Sequence, residues 1–327
     1  GLMHPDIGGW RCKDLCIVAA FDVDQRKVGQ TLGKAAVADP NCVAHPPDPS
    51  AWTDVKVAMG PVLDGVGKHM AEYSSVRSFR LAADQEPVDV ADALRATQAD
   101  VLVSYLPVGA DQAAARYAEA CLEARCAFVN CTPSFIASDK TFASRYQQAR
   151  VPIVGDDIKS QVGATIVHRT LARLMEDRGA KLERTYQLNV GGNADFLNML
   201  DRTRLKSKKA SKTNSVQAVL RSPLPDEHLH IGPSDFVPWL HDTKVAFLRI
   251  HGRGFGGFPI RLDVVLEVED SPNSAGVVVD AVRCAGLARR RGLGGPINAA
   301  CAYLMKSPPQ QMPDEEARQS LEAFLRG

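Results

Sequence analysis

Residues 101–157, VLVSYLPVGADQAAARYAEACLEARCAFVNCTPSFIASDKTFASRYQQARVPIVGDD, decide the fold. Short apolar runs at 101–105, 127–130 and 151–154 alternate with helical patterns at 110–124 and 138–149, and a further helical pattern at 88–97 precedes them. Runs this short, bounded by polar and turn residues, have the length of buried strands rather than of helices. Strict alternation of such strands with helices predicts an α/β fold built on a doubly wound parallel sheet. Ligands of these sheets sit beyond the carboxyl ends of the strands. Those ends are Ser104, Tyr105 and Leu106, then Asn130 and Thr132, then Gly155, Asp156 and Asp157.

Working upstream, LCIVAAF at 15–21 runs into Asp22, and a polar helical pattern follows at 25–38. This is the form of the second strand of a dinucleotide-binding domain, whose terminal acid accepts hydrogen bonds from the adenine ribose hydroxyls. The proline-marked segment 39–59 reads as an irregular surface excursion. A glycine-rich pyrophosphate turn would have to precede Leu15, where only Gly8 and Gly9 are found and no apolar strand leads into them. The first strand, glycine loop and helix are therefore read as missing from this sequence. Two expectations follow: apolar surface exposed beside the strand ending at Asp22, and weak binding of the dinucleotide.

Downstream of the adjacent acids Asp156 and Asp157, apolar residues at Val162, Ile166, Val167, Leu171, Leu174 and Met175 mark one buried helix face that Gly179 stops. Either acid could cap this helix or serve a site. A strand at 185–190 leads to the tight turn Gly191, Gly192 and Asn193, with Asn189, Asn193 and Asp195 as hydrogen-bonding groups beside it. Lys206, Lys208, Lys209 and Lys212 then cluster without an acid among them. Such a run is either a solvated face or a site for an anion, which would offset the repulsion of Lys208 and Lys212 at i and i+4. Beyond it come strands at 245–250 and 259–268, the second alternating as a half-buried antiparallel strand does. Helices at 274–291 and 315–325 close the pattern. Lys244 enters the first of these strands and Asp270 leaves the second.

The 327 residues carry a net charge of +1 and are 45% hydrophobic, which predicts two ordinary domains and argues against a nucleic-acid binder. No apolar run nears the roughly 20 residues of a membrane span, and no signal-peptide pattern is read; a cytoplasmic protein is expected. The eight cysteines contain no C-x-x-C, and His228 with His230 lacks a third ligand, so no metal site is predicted.

The stretches GDDIKSQ, QLNVGGNADFLNML, SKKASKT, HIGPSDFVPWL, EDSPNSAGVVVDAVR, AYLMKSPP and VLVSYLPVG resemble those of the myo-inositol-1-phosphate synthase family, in its shorter prokaryotic form. The resemblance runs from about Val18 to the C-terminus. It implies a Rossmann-like NAD-binding domain at 1–159 and 272–327, and a mixed α/β domain at 160–271 for catalysis and oligomerisation. It also implies a homotetramer. The implied reaction converts glucose 6-phosphate to 1L-myo-inositol 1-phosphate: oxidation at C5 by NAD, enolisation, closure onto the C1 aldehyde, and return of the hydride to C5. Negative charge builds on oxygen at each stage, beside a phosphate dianion, and ammonium groups answer both needs.

The motif-matched lysines are Lys208, Lys212, Lys244 and Lys306. Lys208, supported by Asp157, is assigned to proton transfer at the C5 oxygen, and the others to enolate, aldehyde oxygen and phosphate as a group. Ser160, Asn189, Asn193 and Asp195 would orient substrate, and Asp242 and Asp270 would hold lysines in place. Asp22, Ser104, Tyr105, Leu106, Asn130, Thr132, Gly155, Asp156 and Asp157 would line the cofactor. Whether a divalent metal or a monovalent cation assists the enolate is left open. The alternatives are a dehydrogenase with net oxidation and a non-catalytic sugar-phosphate binding protein.

Overall fold

The computed structural model describes residues 1–205, 213–232 and 235–327. Four short parallel strands form the first sheet: β3 (Val101–Ser104), β4 (Ala127–Asn130), β5 (Pro152–Val154) and β11 (Gly295–Pro296), in the order β11-β5-β4-β3. Val101 pairs with Ala127 and Ser104 with Asn130, so the strand ends singled out above lie side by side. The intervening helices α2 (Val90–Ala96), α3 (Asp111–Ala124) and α4 (Lys140–Ala149) cover one face through a core of Leu94, Tyr117, Cys121, Phe128, Tyr146 and Ile153. The long α7 (Asp270–Arg290), with α8 (Asn298–Leu304) and α9 (Asp314–Arg326), covers the other through Val129, Val154, Val277, Cys284, Leu304 and Leu321. Helices on both faces of a parallel sheet are the doubly wound arrangement the alternation predicts.

Between β5 and α7 lies a second sheet. It comprises β6 (Lys181–Gly191), β7 (Leu229–Ile231), β9 (Thr243–Arg253) and β10 (Pro259–Glu269), in the order β10-β9-β6-β7, with β8 (Asp235–Phe236) also on β6. Helix α5 (Ala164–Asp177) packs its stripe of Leu171, Ala172 and Met175 against Leu182 and Ile250 on one face. On the opposite face Leu188, Phe247 and Val265 are cross-strand neighbours, exposed by 42%, 43% and 64%. That row is an apolar strip without cover in the single chain.

Three sequence expectations are corrected. Of the run 15–21, only its end belongs to a strand, β1 (Ala20–Asp22), because among the described residues β1 pairs with β2 (Val57–Met59) alone. Ile17 and Val18 beside it are 46% and 43% exposed, as expected of that flank. The segment 39–59, read as irregular, supplies β2 at its end. Of the helical pattern 25–38, only α1 (Leu32–Val37) is helix. The residues before it fold around Asp24, whose carboxylate binds the Arg26 side chain at 2.8 and 2.5 Å and the Arg80 N–H at 2.8 Å. Gly8 and Gly9 form a turn on α7, where a Cβ on Gly8 would meet Arg290 at 2.8 Å.

Candidate active site

The site grows from the end of β5. Gly155 has no room for a side chain: a Cβ there would lie 3.0 Å from that of Ala137 and 3.1 Å from that of Asn130. Asp156 follows, fully buried, and its carboxylate accepts from Asn130 Nδ2 (2.8 Å), the N–H groups of Ile136, Ala137 and Ser138 (3.1, 3.0 and 3.0 Å) and the Ser138 hydroxyl (2.8 Å). Burial pushes its pKa up to about 6, against the hydrogen bonds that favour the ionised form. Both carboxylate oxygens of Asp156 are committed to Asn130 and the 136–138 loop, so the sequence expectation that it meets the cofactor directly gives way to a structural role.

Asp157 takes φ of 61°, in the left-handed region. Its N–H donates to Thr132 O (2.9 Å), its carbonyl accepts from the Lys306 N–H (2.7 Å), and the Asp156 carbonyl accepts from Ser307 N–H (3.0 Å). This backbone pairing sets the Lys306 Nζ 2.7 Å from Asp157 Oδ1, with both side chains largely buried. Two motifs about 150 residues apart in sequence thus meet as an ion pair.

Two residues on, Lys159 is 3% exposed and donates to Ala302 O at 3.0 Å and Asp314 Oδ1 at 3.3 Å. Burial, reinforced by the nearby Arg169, pushes its pKa down to about 8. Arg169, fully buried on α5, holds the other oxygen of Asp314 at 3.0 Å and the Ser215 carbonyl at 2.6 Å.

Lys244 enters from the first residues of β9. Its Nζ is 3.1 Å from Asp270 Oδ1 and lies 5.9 Å from the centre of the Phe196 ring. Lys159, Lys244 and Lys306 converge with Ser160 and Gln187 on a small open cavity at the start of α5. Gly163 is the N-cap there and offers no side-chain acceptor to the first turn. Three cationic side chains and a helix N-terminus facing one space make a site for an anionic ligand. An adjoining cavity is lined by Ser160, Lys244, Asp270, Ala246 and Asn273.

The remaining predicted residues divide by role. Asp242, 2% exposed, accepts from the Ser271 N–H and hydroxyl at 3.0 and 2.9 Å and from Asn193 Nδ2 at 2.8 Å. It anchors the start of α7, a capping role, and among the described residues it pairs with no lysine. Asn193 caps α6 (Ala194–Asn198), accepting from the Asp195 and Phe196 N–H groups, and so positions that helix instead of facing the cavity. Asp195 sits in the first turn of α6. Asn189 is buried beside Gln187. Lys208 and Lys212, with the rest of 206–212, lie outside the described residues.

On the cofactor side, Asn130 also donates to Ser134 O at 2.6 Å and accepts from the Thr132 hydroxyl at 3.0 Å, which stiffens the loop after β4. Ser104 at the end of β3 is 5% exposed and its hydroxyl has no partner among the described residues. Tyr105 is 57% exposed and Leu106 is half-buried. The Asp22 carboxylate caps its own turn through the Val23 and Asp24 N–H groups at 2.7 and 2.9 Å and lies 3.6 Å from Lys27 Nζ. Among the described residues no group of three or more His, Cys, Asp or Glu is placed to hold a metal ion, and no helix is long and apolar enough to cross a membrane.

Sequence reading missed Lys159, Gln187 and the start of α5. The signals were present: Gln187 shares a strand face with Asn189 by the period of two, and Lys159 follows Asp157 in the same motif.

A parallel sheet whose strand ends adjoin a lysine-lined cavity defines a dinucleotide-fold enzyme acting on an anionic substrate. Residues 163–271 match the family model described as myo-inositol-1-phosphate synthase. The chain is 55% identical to the inositol-3-phosphate synthase of Mycolicibacterium smegmatis across all of its own length and 89% of that protein. It is likewise 55% identical to that of Mycobacterium tuberculosis, over 100% of this chain and 87% of that one. The crystal structure of Ari2 superposes with a TM-score of 0.73 at 36% identity, over all of this chain and 89% of that one. A myo-inositol-1-phosphate synthase-related protein from Thermotoga maritima, 23% identical, shares the fold at a TM-score of 0.75 over 96% of this chain and 87% of that one. The chain belongs to the myo-inositol-1-phosphate synthase family. It is an isomerase of the inositol-3-phosphate synthase class, converting glucose 6-phosphate to an inositol phosphate.

Proposed function

We propose that the cavity at the start of α5 is where glucose 6-phosphate is isomerised. The observation that carries this reading is the convergence of Lys159, Lys244 and Lys306 on one cavity beside the strand ends. The α5 N-terminus and adjacent ammonium groups suit the phosphate dianion, and the remaining lysines suit the oxygens where charge develops. NAD, when bound, would accept the C5 hydride and return it. Ser104, Asn130, Thr132, Gly155 and Asp157 would line that cofactor, with Tyr105 and Leu106 at the rim and Asp22 toward the ribose. The buried Ser104 hydroxyl, without a partner among the described residues, fits such a contact.

Lys306, held by Asp157, and Lys244, held by Asp270, place fixed positive charge for the enolate and the C1 aldehyde oxygen. Lys208 is assigned to the proton on the C5 oxygen and Lys212 to the same anionic set, on their motif positions. Lys159, with its pKa pushed down to about 8, can give and take a proton near neutral pH. Ser160 would orient the sugar. Residues 1–159 and 272–327 form the nucleotide domain in this reading, and 160–271 the catalytic domain. The uncovered strip of Leu188, Phe247 and Val265 is its self-association face, suited to a homotetramer. Incubation of the protein with glucose 6-phosphate and NAD should yield inositol phosphate; binding of the sugar phosphate without turnover would overturn the proposal.

A further inference from the structure

Behind the cavity runs a chain of buried polar groups that the proposed reaction does not use. His168 on α5 is fully buried, and its Nε2 lies 2.7 Å from the Thr185 hydroxyl and its Nδ1 3.3 Å from the Gln187 amide. The other end of the Gln187 amide lies 2.9 Å from the Asn189 amide, and the far atom of Asn189 is buried with no partner among the described residues. Gln187 lines the cavity, and Asn189 is paired across the strands with Ala246, which lines the adjoining one.

The hydrogen positions follow from one end. The Thr185 hydroxyl is 2.8 Å from the Arg249 carbonyl, which can only accept, so the single hydroxyl proton points there. Thr185 must then accept from His168, and the imidazole carries its proton on Nε2. A fully buried ring with no carboxylate partner among the described residues stays neutral, and burial does push the His168 pKa down, to about 4. Nδ1 is therefore an acceptor. Two amide orientations occupy the same heavy-atom positions, but only one puts the Gln187 NH₂ against that lone pair. The Gln187 oxygen then faces Asn189, which must turn its own NH₂ toward it. The atom left over is the Asn189 carbonyl oxygen.

We propose that His168 acts as a positioning residue which, through Gln187, makes Asn189 present a hydrogen-bond acceptor beside Ala246 and the adjoining cavity, selecting a ligand with a hydroxyl group that reaches it. The ligand class is a polyhydroxylated phosphate, and in this respect the inference rests on the function proposed above. A buried carbonyl without a donor is unfavourable until a hydroxyl supplies one, so the contact discriminates against a sugar lacking that hydroxyl.

The chain of amides makes an unusual demand on a distant nucleus. Asn189→Asp removes the NH₂ that faces Gln187. Gln187 must then reverse, and its oxygen will meet Nδ1 of His168, which requires a second proton on the ring. Nitrogen-15 NMR of the full chain at neutral pH should show His168 protonated on Nε2 alone, and the Asn189→Asp protein should show both nitrogens protonated. A proton on Nδ1 in the unaltered protein, or an unchanged ring in a variant whose residue 189 carbon-13 shift shows an ionised carboxylate, overturns the relay. Asn189→Leu should raise the KM for glucose 6-phosphate by about tenfold with kcat less affected. An unchanged KM with the tautomer as stated overturns the ligand contact. Failure of the unaltered protein to bind glucose 6-phosphate would instead overturn the proposed function, leaving the NMR result intact.

Discussion

Replacing Lys159 by Met keeps the apolar stem and removes a buried charge whose energetic signature depends on pH. Its pKa falls from the ordinary 10.5 to about 8 on folding, mainly through burial, which corresponds to about 3 kcal/mol of destabilisation when the ammonium is charged in both states. The direction follows from proton counting. Below pH about 8 both states hold the proton and the cost is complete. Between about 8 and 10.5 the unfolded chain keeps a proton the folded chain has shed, so stability rises with pH; above that window the contribution is flat.

The Ala302 carbonyl and Asp314 lose a donor in the variant, at about 1–3 kcal/mol each, but that loss is the same at every pH. Urea unfolding at about pH 7 and about pH 10, at one protein concentration and ionic strength, separates the two effects. The unaltered protein should gain about 2–3 kcal/mol relative to Lys159→Met across that interval. An identical pH dependence in the two proteins would refute a depressed Lys159.

Lys244→Met and Lys306→Met should each lower kcat by about a hundredfold or more, the scale of losing an electrostatic stabiliser, while circular dichroism stays native. Near-normal turnover would return that lysine to a structural ion pair with Asp270 or Asp157. The same result is expected for Lys208→Met and Lys212→Met, on the sequence argument alone. Phe247→Glu, in the exposed strip between Leu188 and Val265, should shift sedimentation toward smaller species; an unaltered assembly would show that another surface holds the subunits together.

The first sheet was readable because its strands are short apolar runs between helices of clear period; β4 is found at the residues expected, and α9 extends the expected 315–325 by one residue at each end. Where pattern failed, a tertiary partner was responsible. The run 15–21 is apolar enough for a strand, but strands require a pairing neighbour, and the described residues supply one only at Ala20–Asp22. Helix α7 begins at Asp270, ahead of the expected 274, because Asp242 from the loop before β9 receives the Ser271 N–H. No local pattern contains that cap.

The site shows the same division. The motifs located Asp157, Lys244 and Lys306, whereas Asn193, Asp242 and Asp156 carry polar side chains for the sake of helix starts and a loop. A carboxylate that caps and a carboxylate that holds a lysine at the cavity look alike in sequence. Lys159 escaped notice because its depressed pKa comes from burial under α8 and α9, which are more than a hundred residues away.

The hydride balance distinguishes an isomerase on this fold from a dehydrogenase on the same fold. Glucose 6-phosphate deuterated at C5, turned over with NAD, should give inositol phosphate that retains the deuterium while NADH absorbance stays flat. Deuterium lost from the product, or NADH accumulating in proportion to it, would contradict the redox-neutral cycle.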